Sequence, residues 1–538
     1  MNAFENALVL LLLISSLNII GRWLPWPQLI TYLAGGVLAT LLPGFPRLSL
    51  DPGFFFLCFL PPLLFADGWL MSLREFARAR QTILTLAIGL VFFTMIAVGL
   101  VAYWLIPGIP LAMAFALGAI VSPTDAVAVN AITARLHVPA RITTILNGES
   151  LMNDATGLVA FKFALAAVVA GSFSPGRFTL DFSLLAVGGF LSGLAVGYGI
   201  GLVRDWLQRL HVSDSHLEIT LSLLTPFAAY LLAEELRVSS VLAVVAAGLY
   251  SGWRDPVRMD AETRQSAFAV WSLLLFWLNG IAFVLLGLEF PSLLAAVRDQ
   301  YTTARLLGYT GAIAGVAMLA RLFWVYSGSY LPFLIPRLCA GESRPGSQGV
   351  FVVSWAGMRG TVTLAGALSI PLFLPDGSPF PGRDIVIFLA FGVIASTLLI
   401  QGTSLERLIA RLNLREDDSR AKEERLARIV AVEAGLKTLR SIQSDMALPD
   451  NSAALGHVTA EYEHRLAALT AEGETRNSAR RRRSAGRQYR LAGLLAERRA
   501  LDELWRNDEI ADETHRPLQQ LLDHEESLLK APPDSTAE

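Results

Sequence analysis

Lysine is almost missing from this chain. Of 44 basic residues only four are lysine, Lys162, Lys422, Lys437 and Lys530, and none stands in a Gly-Lys-Ser or Gly-Lys-Thr phosphate loop. That excludes a P-loop ATP motor within these residues and leaves an ion gradient as the energy source for any pumping. Cysteine is nearly as scarce. Cys58 lies in an apolar stretch and Cys339 in a predicted cytoplasmic loop, so no disulfide is expected. The seven histidines, His137, His211, His216, His457, His464, His515 and His524, all fall in predicted loops or the C-terminal quarter, so no histidine metal centre and no cofactor is expected. Charge is thin, 17% of residues, and crowds into the last quarter, so the net charge of −2 says little about partners.

Apolar side chains fill the space instead, at 53% of residues and a mean hydropathy of +0.49. Stretches near the roughly 20 residues needed to cross a bilayer recur from residue 5 to about residue 403. About thirteen can be marked: 4–22, 28–43, 53–70, 81–106, 110–134, 143–171, 181–203, 216–235, 238–252, 267–289, 304–334, 348–373 and 384–403. The fold class is an all-α polytopic membrane protein with a helical soluble tail. The first stretch, Phe4 to Ile20, has no basic flank and no small-residue cleavage site, so it reads as a retained helix.

Arginine sets the orientation. Arg22; Arg74, Arg78 and Arg80; Arg135 and Arg141; Arg204 and Arg209; Arg254, Arg258 and Arg264; and Arg337 and Arg344 fall in alternate loops, which should be cytoplasmic. The intervening loops carry about one base each, Arg47, Arg177, Arg237 and Arg383, apart from Arg298 and Arg305 around one of them. An odd number of spans in the plasma membrane then places the amino terminus outside and the tail inside. The transmembrane domain is expected over 1–403 and a cytoplasmic helical domain over 404–538, where Arg, Glu, Ala and Leu recur in helical patterns such as Glu423 to Val430. The final Ala-Pro-Pro-Asp-Ser-Thr-Ala-Glu reads as disordered. Arg480 to Arg483, with Arg487, reads as a solvated helix face, with anionic lipid headgroups as the second reading.

Against this background the acids inside the apolar stretches stand out. Asp125, in Ser122-Pro123-Thr124-Asp125, and Asp154, in Asn147-Gly148-Glu149-Ser150-Leu151-Met152-Asn153-Asp154, lie where a charge costs at least about 2.5 kcal/mol, and such residues normally line an ion or proton path. The fifth stretch breaks at Pro123-Thr124-Asp125 and the twelfth at Gly357-Met358-Arg359-Gly360-Thr361. If stretches 1–6 and 8–13 are two six-helix repeats, the second starts on the opposite side of the membrane. The fifth helix of each inverted repeat is then interrupted, the arrangement that marks a midplane transport site. Pro123 frees the carbonyl of Ala119, and Asp125 and Arg359 are placed to offset the partial charges of the half-helix ends. Whether they do only that or also line the path stays open.

Ser150 and Asp154 are four apart on one helix face, and Glu149 and Asn153 share the neighbouring one. A hard monovalent cation wants oxygens, and the Asp154 carboxylate, the Ser150 hydroxyl and freed carbonyls near Thr124 and Asp125 offer them. Desolvation favours the neutral carboxyl, so a proton competes with the cation for Asp154. Glu149 needs a partner, with Arg321 the first choice and Arg359 the second, and a scaffold ion pair is the preferred role. Asp67 and Glu289 read as interfacial caps and Glu218 as a loop-edge residue. Lys162, two turns beyond Asp154, either snorkels or pairs.

Phe59-Leu60-Pro61-Pro62-Leu63-Leu64-Phe65-Ala66-Asp67, Ser122-Pro123-Thr124-Asp125, Asn147-Gly148-Glu149-Ser150 with Asn153-Asp154, and Gly357-Met358-Arg359-Gly360 together resemble the sodium/proton exchangers of the monovalent cation:proton antiporter-1 family, in family order over about residues 1–405. The resemblance implies a thirteen-helix inverted-repeat fold with dimerisation and core domains, a homodimer, and a core that moves like an elevator. It implies that Asp154 binds the ion with further oxygens from Thr124 and Ser150, that Glu149 and Arg321 form the structural ion pair, and that Asn153-Asp154 goes with electroneutral exchange of one cation for one proton. The expected activity is exchange of Na+, with Li+ or K+ as alternatives, for H+. The expected partners are these ions, the bilayer and a second copy of the chain, with no nucleic acid and no enzymatic reaction.

Three other readings remain in view. A K+/H+ antiporter on the same fold is the nearest. A cation channel fits poorly with one buried carboxylate between paired broken helices. An intramembrane aspartyl hydrolase would need two aspartates sharing a proton, and the Gly-x-Gly-Asp context is missing. Truncation after about Leu414 should leave transport intact and shift its pH dependence. Flux assays on the truncated protein check this, and total loss of transport would make the tail part of the transport fold.

Overall fold

A computed structural model describes residues 3–24, 26–42, 52–133, 136, 138–170, 175–212, 214–331, 345–412, 418–445, 452–470, 473–507, 509–510 and 512–530. Arg47, Arg135, His137, Cys339, Arg337, Arg344 and the last eight residues lie outside them, as do the side chains of Arg177 and of Arg480 to Arg483. No strand occurs among the described residues, and the chain divides into two units, 1–416 and 417–538.

Seventeen helices build the first unit among its described residues. In order they are α1 (Ala3–Gly21), α2 (Gln28–Ala39), α3 (Pro52–Leu70), α4 (Leu73–Leu84), α5 (Val91–Leu105), α6 (Leu111–Val121), α7 (Ala126–Thr133), α8 (Ala140–Ala170) and α9 (Pro175–Arg209). Then come α10 (Ser215–Glu235), α11 (Ser240–Arg258), α12 (Ala261–Arg298), α13 (Thr303–Tyr330), α14 (Ser347–Trp355), α15 (Thr361–Leu368), α16 (Arg383–Thr397) and α17 (Thr403–Leu412). One wide π turn, Thr85–Leu90, joins α4 to α5, and another, Leu398–Gly402, joins α16 to α17. Eight continuous or broken helices are apolar and long enough to cross a membrane, and Glu5–Gly21, Gln28–Ala39 and Leu57–Leu70 are apolar but shorter.

Local chemistry fixes where several of these helices start. Ser72 accepts from Glu75 N at 3.5 Å, Asp214 from Leu217 N at 2.7 Å, Ser239 from Leu242 N at 3.3 Å and Asp260 from Thr263 N at 2.7 Å, each satisfying one backbone donor that a helix start leaves bare. Packing then depends on small residues, because lipid is as apolar as a leucine face and only close fit holds helices together. Gly189 and Gly193 of α9 lie against the backbone of Ser239 and Ala243 at α11, where any side chain would collide. Aromatic rings tie α3 to α12: Phe65 stacks on Trp271 at 5.2 Å, and Trp271 Nε1 donates to Ser222 of α10 at 3.0 Å.

One buried ion cluster joins α9, α10 and α11. Arg204, 2% exposed, donates to Asp255 at 2.6 Å and lies 3.4 Å from the Glu218 carboxylate. Gln208 donates to Glu218 at 3.4 Å. Glu218, read from the sequence as a loop-edge residue, therefore sits in the buried first turn of α10; its proximity to a helix start gave the right boundary and the wrong environment.

In the second unit α18 (Asp418–Asp445) packs on α19 (Ser452–Thr470), and α20 (Gly473–Arg506) packs on α21 (Asp512–Lys530). Arg498 of α20 pairs with Asp523 and, at 2.5 Å, with Glu526. His515 meets Asp502 at 3.0 Å and stacks on Trp505 at 5.0 Å.

Arg204→Met should destabilise the first unit by about 3–5 kcal/mol, because it leaves two buried carboxylates without their cation. Thermal unfolding in detergent checks this. An unchanged Tm would mean the cluster is hydrated and does not hold the three helices together.

Candidate ion-binding site

The two breaks foreseen in the sequence meet in space. α6 stops at Val121 and α7 starts at Ala126; α14 stops at Trp355 and α15 starts at Thr361. Asp125 N donates to the Met358 carbonyl at 2.7 Å, so the unwound segments are bonded to each other. Two N-terminal and two C-terminal helix ends converge there, each with bare backbone groups that hydrocarbon cannot satisfy.

Asp125 and Arg359 divide that task by charge. The Asp125 carboxylate accepts from Val127 N at 2.8 Å at the start of α7, and its second oxygen lies against Gly360 at the start of α15. Any side chain at position 360 would overlap that carboxylate, so only glycine allows the approach. Arg359, 1% exposed, donates from Nε to the Val121 carbonyl at 3.0 Å at the end of α6, and from its terminal nitrogen to Gly357 O beyond α14. The anion serves the positive helix starts and the cation the negative ends. Thr397 supports the arrangement by accepting from Arg359 N at 3.3 Å.

α8 crosses beside the breaks and carries the remaining residues. Gly157 leaves the space that the Pro123 ring fills. Glu149 and Arg321, each 1% exposed, form an ion pair through both guanidinium ends, the second contact measuring 2.9 Å. Arg321 also donates to the Val353 carbonyl of α14 at 3.2 and 2.9 Å. Thr124 donates to Glu149 at 3.3 Å and accepts from Asn153 at 2.9 Å. The Ser150 hydroxyl accepts from Ala126 N at 3.1 Å. Glu149, Asn153 and Ser150 thus hold the first break from the α8 side, and the Thr124 hydroxyl is already engaged.

Asp154 is different. It is 5% exposed, and among the described residues no hydrogen-bond donor reaches its carboxylate. It lines a small cavity of ≈ 20 Å³ with Thr124, Asp125 and Ser150, joined by Asp67 of α3 and Thr361 and Thr363 of α15. That volume admits about one water-sized occupant. Within the cavity wall one Asp125 oxygen and the Thr363 hydroxyl are buried without a partner.

Asp67 and Thr363 are the residues that sequence reasoning missed. Asp67, read as an interfacial cap, faces Asp125 and Asp154 inside the site. Its signal was present: Ala66-Asp67-Gly68 interrupts an apolar run that continues to Trp69-Leu70. Depth along α3 was not readable, because a helix of 19 residues can tilt or sink as its neighbours dictate. Thr363 gave no signal at all, since threonines are common in apolar helices. Lys162, left between snorkelling and pairing, lies 3.6 Å from Glu234 of α10, away from this cavity. Cys58 is a free thiol.

The chain matches the sodium/hydrogen exchanger transmembrane family over residues 8–411. A sodium, potassium, lithium and rubidium/H+ antiporter of Bacillus subtilis is 38% identical, the match covering 99% of this chain and 79% of that one. An uncharacterized Na+/H+ exchanger of Escherichia coli, YjcE, is 36% identical over 99% of both chains. The sodium proton antiporter MjNhaP1 of Methanocaldococcus jannaschii has the same fold, with a TM-score of 0.56 over 77% of this chain and 99% of its own at 18% identity. The broken-helix crossing and these likenesses lead to one conclusion: the chain belongs to the sodium/hydrogen exchanger family, of the monovalent cation:proton antiporter-1 type.

Proposed function

We propose that this antiporter exchanges one monovalent cation for one proton at Asp154, and that the two compete for the same carboxylate. The observation that carries the reading is the Asp154 side chain, buried and unbonded in a cavity with room for one occupant. A carboxylate held away from water favours either a proton or a cation, and one charge cannot bind both at once. The cation takes oxygens from Asp154, from the Ser150 hydroxyl and from the backbone at Thr124 and Asp125. Asp67 and Thr363 complete the cavity wall. Glu149 with Arg321, Arg359 and Asn153 act as scaffold. In an electroneutral cycle the membrane voltage, worth about 2.3 kcal/mol per charge per 100 mV, does no work on the exchange.

Na+ is the first cation, with Li+ and K+ on the same ligands. The K+/H+ reading gains support from the Bacillus relative, whose name includes potassium and rubidium. The broader architecture belongs to the same proposal: thirteen spans in two inverted six-helix repeats, amino terminus outside and tail in the cytoplasm, and a homodimer in the plasma membrane. Residues 404–538 would then be cytoplasmic, with α17 belonging to the first unit and the domain proper following it as the second.

Proton flux in proteoliposomes, evoked by adding Na+, K+ or Li+ in turn, tests the assignment. Asp154→Asn should abolish the flux with Tm unchanged, and near-normal exchange in that variant would remove Asp154 from the mechanism. Glu149→Gln should instead lower the stability by about 3–5 kcal/mol by stranding a buried arginine. An unchanged Tm together with lost cation affinity would make Glu149 a ligand rather than scaffold.

A further inference from the structure

The only lysine of the first unit stands where a cation transporter would have least use for a fixed cation. Lys162 lies eight residues beyond Asp154 on α8, about 12 Å along the helix axis at 1.5 Å per residue. It lines a cavity of ≈ 360 Å³ between α8, α9 and the turn from α10 to α11, with Leu158, Val159, Phe163, Glu234, Arg237 and Ser239 among its neighbours. Leu158, one turn from Asp154, is part of that wall, so the cavity lies along α8 between the buried site and the C-terminal end of the helix. Its opposite wall carries Glu234, whose carboxylate accepts from the Ser240 hydroxyl at 2.7 Å and lies 3.6 Å from the Lys162 ammonium.

The pair is exposed, 60% for the lysine side chain and 46% for the glutamate, unlike the sealed Glu149 and Arg321 pair. An exposed ion pair of this kind contributes little to stability. Its ammonium is therefore displaceable by another cation. Glu234 with the Ser240 hydroxyl offers the hard oxygens that a monovalent cation takes, and the turn that presents them is fixed by Arg237 in a left-handed conformation, φ 54°. Arg237 lines the same cavity, so with Lys162 in place its wall is built from two basic residues and one acid.

We propose that Glu234 is a peripheral cation-recruiting site in a vestibule about two turns of α8 beyond Asp154, and that Lys162 is its tethered competitor. A cation arriving from the side of the membrane where α8 ends must displace the ammonium before it reaches Asp154. The pair then sets the apparent affinity from that side and leaves the exchange step itself alone. The inference rests on the reading of Asp154 as the exchange site.

Cation-evoked proton flux in proteoliposomes, with Na+ or K+ added separately on each side, tests it. Lys162→Met should lower the apparent KM about three- to tenfold on one side only, with Vmax and Tm unchanged, and Lys162→Arg should remain near the parent. Glu234→Gln should raise that KM and make Lys162→Met silent in the double variant. Additive effects, equal shifts on both sides, an unchanged KM, a KM that follows the anion of the salt, or a fall in Tm would each overturn the proposal. Failure of the Asp154 reading shows differently, as flux that survives Asp154→Asn.

Discussion

Everything in the transport unit depends on making two broken helices affordable inside a membrane. Four helix ends meet at the crossing, and hydrocarbon offers nothing to their bare amides and carbonyls. One anion and two cations answer the need from within the protein. Asp125 takes amide donors, whereas Arg359 and Arg321 take the carbonyls of Val121, Gly357 and Val353. Remove that matching and neither break has a reason to persist against continuous helix. The same matching explains why arginine, with a planar fork of donors on separate nitrogens, occupies these positions, whereas a lysine donates from a single point.

The bonding within this scaffold has a chemical consequence. Glu149, Asn153, Ser150 and Thr124 use their polar atoms on one another and on the start of α7, so their positions are set before any ion arrives. Asp154 alone among the buried acids of α8 lacks such bonds, and in the proposed exchange its binding capacity is left for a mobile ion. Pre-positioned oxygens around one uncommitted carboxylate would then cost little to reorganise when a proton replaces a cation. Two kinds of ion pair serve different ends in this unit. Those sealed at about 1–2% exposure, Glu149 with Arg321 and Asp255 with Arg204, hold helices together. The open pair of Lys162 and Glu234 contributes little to stability and is free to exchange partners.

The residues legible in the sequence were those whose oddity is local. Pro123 beside Thr124 and Asp125, the Gly357 to Gly360 run, and the acids Glu149 and Asp154 in an apolar helix need no three-dimensional knowledge to look out of place. The pairing of Glu149 with Arg321 followed from charge neutrality, since only a few buried cations were on offer. Asp67 was misread because its distance from the membrane centre depends on how α3 packs against α11 and α12. Glu218 was misread for the same reason, its partner Arg204 coming from another helix.

Sequence by itself determined that this chain spans a membrane many times, that two helices break, and that Asp154 falls inside an apolar stretch, because hydropathy, proline and glycine act over a few residues. Only the tertiary structure decided which helix end each charge serves, that Asp67 and Thr363 join Asp154 around one small cavity, and that Lys162 faces Glu234 in another. Those facts arise from helix packing between segments tens to hundreds of residues apart, where contact is set by tilt and close fit and not by any neighbour in the chain.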